Sequence, residues 1–227
     1  MKILALETID VSAGIALLED EQVLASAVLP PQQRSAQFLA PAVRDLLESQ
    51  GWKPADIQLI AIAQGPGSFT GLRVGIAFAK IFAYAVGADI IALNTLELLA
   101  QAAPDQVSKI SAALDAQRNQ VICQQFVRDE TGNWIPQNEM ELLDLEDWAE
   151  SVPQDVFLTG PVLAQKAKYL PEDLTTLPEE CWQISSAVIG RTAFRLYAEG
   201  RRDDMWNLLP IYSRPAAAEE RKNAKKA

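Results

Sequence analysis

Runs of apolar residues near the N-terminus predict three strands followed by an amphipathic helix. Residues 2–9, KILALETI, form a strand-length apolar run, and residues 13–20 and 22–29 alternate like the two strands of a hairpin that turns at 19–22. From Arg34 to Gln50 the apolar residues recur every three or four positions, as in an amphipathic helix. Gly51 follows at the point where a helix end favours a left-handed residue.

The pattern then predicts alternating strands and helices. Residues 57–63, IQLIAIA, predict a strand, which a glycine-rich loop joins to a long apolar helix from Leu72 to Val86. The run 89–93, DIIAL, predicts a further strand, and Asn94 or Thr95 is placed to cap the helix after it. This element order, βββαβαβα, predicts a first α/β lobe over residues 1–104.

A similar order begins again after Pro104. Residues 109–116, KISAALDA, and 120–129, QVICQQFVRD, predict a strand pair, and 156–170 predicts a strand, a glycine turn and a helix. Residues 186–200 have the spacing of a last helix. We therefore expect a second α/β lobe over residues 105–227 and a duplicated fold, with a last helix that can pack back on the first lobe.

Composition narrows the classes of function. The chain has 227 residues, 49% hydrophobic and 22% charged, which is enough to bury a substantial core. It contains no histidine, which excludes a Ser-His-Asp triad, an HExxH zinc site and an imidazole general base. The formal net charge of −10 disfavours direct binding of nucleic acid, because that binding relies on lysine and arginine. Any nucleic acid is therefore expected to be held by a partner.

The sequence also indicates where in the cell the protein is found. No charged segment precedes an apolar stretch at the N-terminus, and no uninterrupted apolar run reaches bilayer length. We therefore expect a cytoplasmic protein without membrane contact.

Cys123 and Cys181 lack the spacing of a metal or redox site and are expected to be buried thiols.

The glycine-rich loop does not match either common phosphate-binding motif. The Walker pattern fails because Leu72 and Arg73 follow Gly71, and the dinucleotide fingerprint fails because Thr70 stands three residues after Gly67. Two interpretations remain, a tight turn that permits close packing and an anion site at a helix N-terminus. The candidate anion-binding loop consists of Gly65, Gly67, Ser68, Phe69, Thr70 and Gly71.

The helix from Leu72 to Val86 is apolar on every side. Arg73 and Lys80 are its only charged residues, and its alanines keep much of its surface thin. A helix of this kind is either fully buried or packs one side against another chain. The sequence leaves both an internal helix and a subunit interface open.

Four segments of the chain carry a resemblance to a known family. They are ILALET near the start, AIAQGPGSFTGLRVGIAFAKIFA around the loop, LDAQRNQV in the second half, and the late PIYSR. Together they resemble the bacterial TsaB family, also called YeaZ, over most of the chain, and GPGSFTGLR is the most specific of them. The resemblance implies a two-lobed actin-like ASKHA (ribonuclease H-like) fold with duplicated βββαβα lobes.

The resemblance also implies a role in tRNA modification. The chain would be a partner subunit, with no catalytic or metal-binding residue of its own, for transfer of threonylcarbamoyl from its adenylate to adenosine 37 of tRNAs that read codons beginning with A. TsaD would be the catalytic partner and TsaE an ATPase partner, so ATP and metal are expected on those subunits. The tRNA would be contacted through the complex, and a homodimer is expected when the protein is alone. The family pairs through its first two helices, which here predicts an interface of Phe38, Pro41, Ala42, Leu72, Arg73, Gly75, Ile76, Ala79, Lys80 and Ala83.

Two departures from the family pattern keep a second class of function open. Many members have Asp-Thr-Ser/Ala where this chain has Glu7-Thr8-Ile9 followed by Asp10, and His-Ser/Thr where it has Ser35-Ala36. The longer first acid puts nucleotide binding by this chain in doubt. The alternative is a small ASKHA-type phosphotransferase that uses Glu7, Asp10 or Asp115 as metal-binding or basic groups. In that alternative the Gly65–Gly71 loop is the anion site.

Overall fold

The first sheet is built around a parallel strand pair with a hairpin on one side. The computed structural model describes residues 1–9, 13–29 and 36–214. The strands of this sheet are β1 (Lys2–Glu7), β2 (Gly14–Glu19), β3 (Gln22–Val28), β4 (Leu59–Gly65) and β5 (Asp89–Asn94). Their spatial order is β3-β2-β1-β4-β5, with β1 antiparallel to β2 and parallel to β4. The predicted hairpin is confirmed, because β2 and β3 are antiparallel neighbours.

The second sheet repeats this arrangement. Its strands are β6 (Lys109–Asp115), β7 (Gln120–Arg128), β8 (Trp134–Pro136), β9 (Glu141–Asp144) and β10 (Phe157–Thr159). β6 is antiparallel to β7 and parallel to β10, as β1 is to β2 and β4. The short strands β8 and β9 both pair with β7 and together take the place that β3 has in the first sheet. The predicted duplicated, two-lobed α/β fold is confirmed.

Six α-helices connect the strands of the described chain. They are α1 (Ala36–Ser49), α2 (Phe69–Val86), α3 (Thr95–Gln101), α4 (Leu145–Ser151), α5 (Leu163–Lys166) and α6 (Ser186–Ala198). α2 begins three residues earlier than predicted, because the Ser68 side chain accepts a hydrogen bond from the Gly71 N–H and caps the helix. Asn94, one of the two residues predicted to cap α3, does so in the same way by accepting from the Leu96 N–H.

Helices and sheets alternate in layers. α1 and α2 cover the outer face of the first sheet, α3 and α6 share the core between the sheets, and α4 and α5 cover the outer face of the second sheet. β1 shows the arrangement directly, since Leu4 and Leu6 join the core under α1 and α2 while Ile3 and Ala5 face α3 and α6. α6 packs against β1 and β2, although it follows the second sheet in the chain. The boundary at residues 104 and 105 stays a prediction.

The core of the second lobe contains a buried hydrogen bond between two polar side chains. Trp148 of α4 is 1% exposed, and its indole N–H donates to the hydroxyl of Ser111 on β6 at 2.9 Å. Ser111 is fully buried, so no water can replace it as the acceptor.

We expect Ser111→Ala to lower the free energy of unfolding by about 1–3 kcal/mol, because it leaves the buried indole N–H without an acceptor. The matched control is Ser151→Ala, which removes an exposed hydroxyl that donates to the carbonyl of Trp148. Urea unfolding followed by tryptophan fluorescence measures both. Equal losses for the two variants would contradict the role assigned to the buried pair.

Candidate functional site

The inner side of α2 packs against the first sheet and is closed to other molecules. Five of the residues predicted to form an interface lie on this side: Leu72, Gly75, Ile76, Ala79 and Ala83, each buried within the single chain. Their placement in a docking surface stays a prediction, and none of the five side chains is exposed on the single chain. A helix that is apolar all round has no polar side to mark which face the sheet covers.

The outer side of α2 exposes a different set of apolar side chains. Ile81 is 69% exposed, Val74, Phe78 and Phe82 are half-buried, and the rings of Phe78 and Phe82 lie 5.6 Å apart. On α1, Phe38 and Ala42 are half-buried and Pro41 is exposed. We call these residues the outer helix face: Phe38, Pro41, Ala42, Val74, Phe78, Ile81 and Phe82.

α2 also has the dimensions of a membrane-spanning helix, although Arg73 and Lys80 interrupt its apolar run. Its 18 residues have a mean hydropathy of 1.4 and 33% of them are buried, so it could cross a bilayer by length and composition. The core helix of a soluble protein passes the same test. Here the inner side of α2 packs on the sheet, and Lys80 donates to the carbonyls of Trp206 and Leu208. A single helix of this kind is weak support for a membrane protein.

The glycines around the predicted anion loop permit close backbone contacts. A Cβ on Gly71 would lie 2.0 Å from the carbonyl oxygen of Thr8, and one on Gly75 would lie 2.1 Å from the Thr8 hydroxyl. A Cβ on Gly65 would lie 2.2 Å from the carbonyl oxygen of Ile211. These distances favour the packing interpretation of the loop, because any larger residue would push apart the end of β1, the start of α2 and the C-terminal segment.

The motif around the glycine-rich loop and the late motif PIYSR meet at the N-terminus of α2. Residues 203–214, which we call the C-terminal strap, cross the first sheet here: the Ile211 N–H donates to the carbonyl of Gln64 at 2.9 Å. The guanidinium carbon of Arg73 lies 3.8 Å from the centre of the Phe69 ring, and Nε donates to the Tyr212 hydroxyl at 3.1 Å. Arg73 and Phe69 therefore hold the strap, and Arg73 keeps a partly exposed position beside the outer helix face.

The two carboxylates of the alternative mechanism that the structure describes, Glu7 and Asp115, do not form a site together. Glu7 is fully buried, and one of its carboxylate oxygens accepts from the Ile9 N–H at 2.6 Å, so it cannot meet a substrate. Asp10 and Ser35 lie outside the described residues. Asp115 is exposed at the end of β6 and accepts from the Gln117 N–H at 3.0 Å. Among the described residues no group of three histidine, cysteine, aspartate or glutamate side chains could hold a metal ion. The phosphotransferase alternative is not favoured.

A cleft lies between the lobes, at the carboxyl ends of strands from both sheets. Its volume is about 190 Å³, and its polar lining includes Ser68, Thr95, Asp115 and Lys166. Ser68 and Asp115 were singled out from the sequence. Thr95 and Lys166 were missed as site residues, because no local motif links them to the loop or to each other.

Both cysteines are free and buried, as predicted. Burial, and then the charge of Glu141, raise the pKa of the Cys123 thiol to about 12. Burial and Glu180 also raise the pKa of Cys181. Both thiols therefore stay protonated at neutral pH and are poor nucleophiles.

Two sheets of repeated strand order around a shared helical layer define a two-lobed, actin-like α/β protein. A family model described as TsaD, tRNA N6-adenosine threonylcarbamoyltransferase, matches residues 22–139, just over half of the chain. The chain is 36% identical over 136 residues to the tRNA threonylcarbamoyladenosine biosynthesis protein TsaB of Escherichia coli, covering 59% of this chain and 58% of that protein. It is 37% identical over 121 residues to the TsaB protein of Bacillus subtilis, covering 53% of each chain.

The structural comparison extends over nearly the whole chain. YeaZ from Pseudomonas aeruginosa matches with a TM-score of 0.75 and 26% identity, over 93% of this chain and 99% of that one. The chain therefore belongs to the family described as TsaD, tRNA N6-adenosine threonylcarbamoyltransferase, and within it to the TsaB (YeaZ) group. The aligned sequence spans little more than half the length of the curated relatives.

The contact between Thr8 and Gly75 yields a test of the packing interpretation. We expect Gly75→Ala to lower the free energy of unfolding by about 1–3 kcal/mol through overpacking, despite the better helix propensity of alanine. Thr8→Ala removes the atom nearest the new methyl group, so the double variant should lose less than the sum of the single losses. A double-mutant cycle in urea measures this coupling, and strictly additive losses would contradict it.

Proposed function

We propose that this protein is a non-catalytic partner subunit in tRNA threonylcarbamoyladenosine synthesis. In this role it docks and supports a TsaD subunit, which transfers threonylcarbamoyl from threonylcarbamoyl-AMP to adenosine 37 of tRNAs that read codons beginning with A. Membership of the TsaB group supports the pathway, and the named relatives take part in the biosynthesis of the same modified nucleoside.

The observation that carries the docking role is the exposure of the outer helix face. Ile81 is 69% exposed beside Phe78 and Phe82, on two helices that the first sheet holds rigidly from behind. Apolar side chains grouped on a rigid surface are typical of protein interfaces. The proposed interface therefore retains the predicted residues Phe38, Pro41 and Ala42 of α1. On α2 it consists of the exposed and half-buried residues of the outer helix face and not of the buried residues.

The remaining partners follow from the same proposal. The net charge of −10 leaves most of the binding of tRNA to the catalytic subunit. ATP and metal are assigned to the TsaD and TsaE subunits, and the whole complex to the cytoplasm. In the absence of TsaD, two copies would cover the outer helix face of each other as a homodimer, because the face otherwise meets water.

We expect Ile81→Glu to weaken the complex with the cognate TsaD about a hundredfold, because docking would bury an unpaired carboxylate. The variant should fold normally, since the side chain is mostly exposed in the single chain. Size-exclusion chromatography with light scattering of the mixed proteins measures binding, and circular dichroism checks the fold. The same experiment on the protein alone reports whether the homodimer uses this face.

The matched control is Ile135→Glu. Ile135 is 44% exposed on β8, in the second sheet and away from both helices, so this variant should bind TsaD like the wild type. Binding of Ile81→Glu at wild-type strength would overturn the docking face. Ile76→Glu is unsuitable as a test, because Ile76 is 4% exposed and we expect a buried charge there to destabilise the fold.

A further inference from the structure

The cleft between the lobes is built at a position where α/β folds bind ligands. Ser68 follows β4, Thr95 follows β5 and Asp115 ends β6, so the carboxyl ends of strands from both sheets contribute to one cavity. The cavity volume of about 190 Å³ lies below the roughly 300–1,000 Å³ of sites for drug-sized ligands and cofactors. This volume favours a ligand smaller than a nucleotide.

One buried polar group in the cleft has no partner within the protein. Thr95 is 1% exposed and lines the cavity, and its hydroxyl oxygen has no hydrogen-bond partner among the described residues. A buried hydroxyl without a partner costs about 1–3 kcal/mol, which makes it unusual in a native fold. A ligand in the cleft would supply the missing hydrogen bond.

The other polar groups of the lining carry both signs of charge. The ammonium group of Lys166 donates to the side-chain oxygen of Asn119 at 3.2 Å, which uses one of its three donors. Asp115 accepts from the Gln117 N–H with one carboxylate oxygen, and the hydroxyl of Ser68 accepts from the Gly71 N–H. These contacts leave donors on Lys166 and Ser68 and acceptor capacity on Asp115.

We propose that this cleft binds a small α-amino acid in its zwitterionic form. The carboxylate of the ligand meets the ammonium group of Lys166 and the hydroxyls of Ser68 and Thr95. Its ammonium group meets the carboxylate of Asp115. A short side chain lies on the apolar part of the lining, which Leu114, Val162 and Ile184 contribute to.

Charge favours a zwitterion over a simple ion. A lone anion would share the small cavity with Asp115, and a lone cation would share it with Lys166. The ligand would bridge the lobes, because Ser68 and Thr95 belong to the first sheet region and Asp115 and Lys166 to the second. The proposal uses no residue of the outer helix face and does not depend on docking to TsaD.

The experiment titrates the purified protein with glycine, L-valine and L-threonine. Acetate and methylammonium are titrated separately as half-ligands, because acetate carries only the carboxylate of an amino acid and methylammonium only its ammonium group. Saturation-transfer NMR reports binding, and thermal unfolding reports stabilisation. We expect at least one amino acid to bind more tightly than either half-ligand and to raise the melting temperature. Thr95→Val and Lys166→Gln should each weaken that binding roughly tenfold, since each removes a hydrogen bond to a charged group.

The variants separate loss of binding from loss of fold. Thr95→Val replaces an unpartnered buried hydroxyl by a methyl group of similar size, so its melting temperature without ligand should equal or exceed that of the wild type. Lys168→Gln is the control for Lys166→Gln, because Lys168 is exposed two residues away and does not line the cavity. It should bind like the wild type. The proposal is overturned by acetate binding as tightly as the amino acids, by unchanged binding in Thr95→Val, or by no binding up to about 10 mM of any probe.

Discussion

The close approach of α2 to the end of β1 is the contact on which the rest of the arrangement depends. The Thr8 hydroxyl donates to the carbonyl of Gly71 at 2.9 Å, in space that only glycines at 71 and 75 leave open. This contact fixes the distance of α2 from the first sheet and the rotation of the helix about its own axis. The rotation buries Ile76 and Ala79 and turns Ile81 outward. A packing requirement at one end of the helix therefore determines which side chains of α2 are exposed.

The same junction explains why two distant motifs belong together. Gly65 leaves room for the backbone of Ile211, and the strap then places Tyr212 against Phe69 and Arg73. A change in either segment would disturb the other, since they share one set of contacts. The glycine-rich loop thus serves as a three-way packing junction, and its resemblance to a phosphate loop comes from the same need for close backbone approach.

The duplication has a separate consequence. Each sheet contains parallel strands next to an antiparallel hairpin. In this repeated arrangement the carboxyl ends of β4 and β5 from the first sheet and of β6 from the second sheet lie at one cleft. In this chain the cleft has a volume of about 190 Å³, and Glu7 is fully buried and accepts a hydrogen bond from the Ile9 N–H. The fold therefore places a small cleft at the position where α/β folds bind ligands.

The sequence by itself determined the element order, the hairpin, a cap at Asn94 or Thr95 and the duplicated lobes, because these depend on local periodicity and capping chemistry. It also carried the family resemblance. Only the tertiary structure decided which side of α2 is free, since an apolar helix has no polar stripe to orient it and the contact with Thr8 orients it instead. The juxtaposition of Thr95 with Lys166 was equally beyond sequence reasoning, because it arises from the packing of two lobes and not from any spacing along the chain.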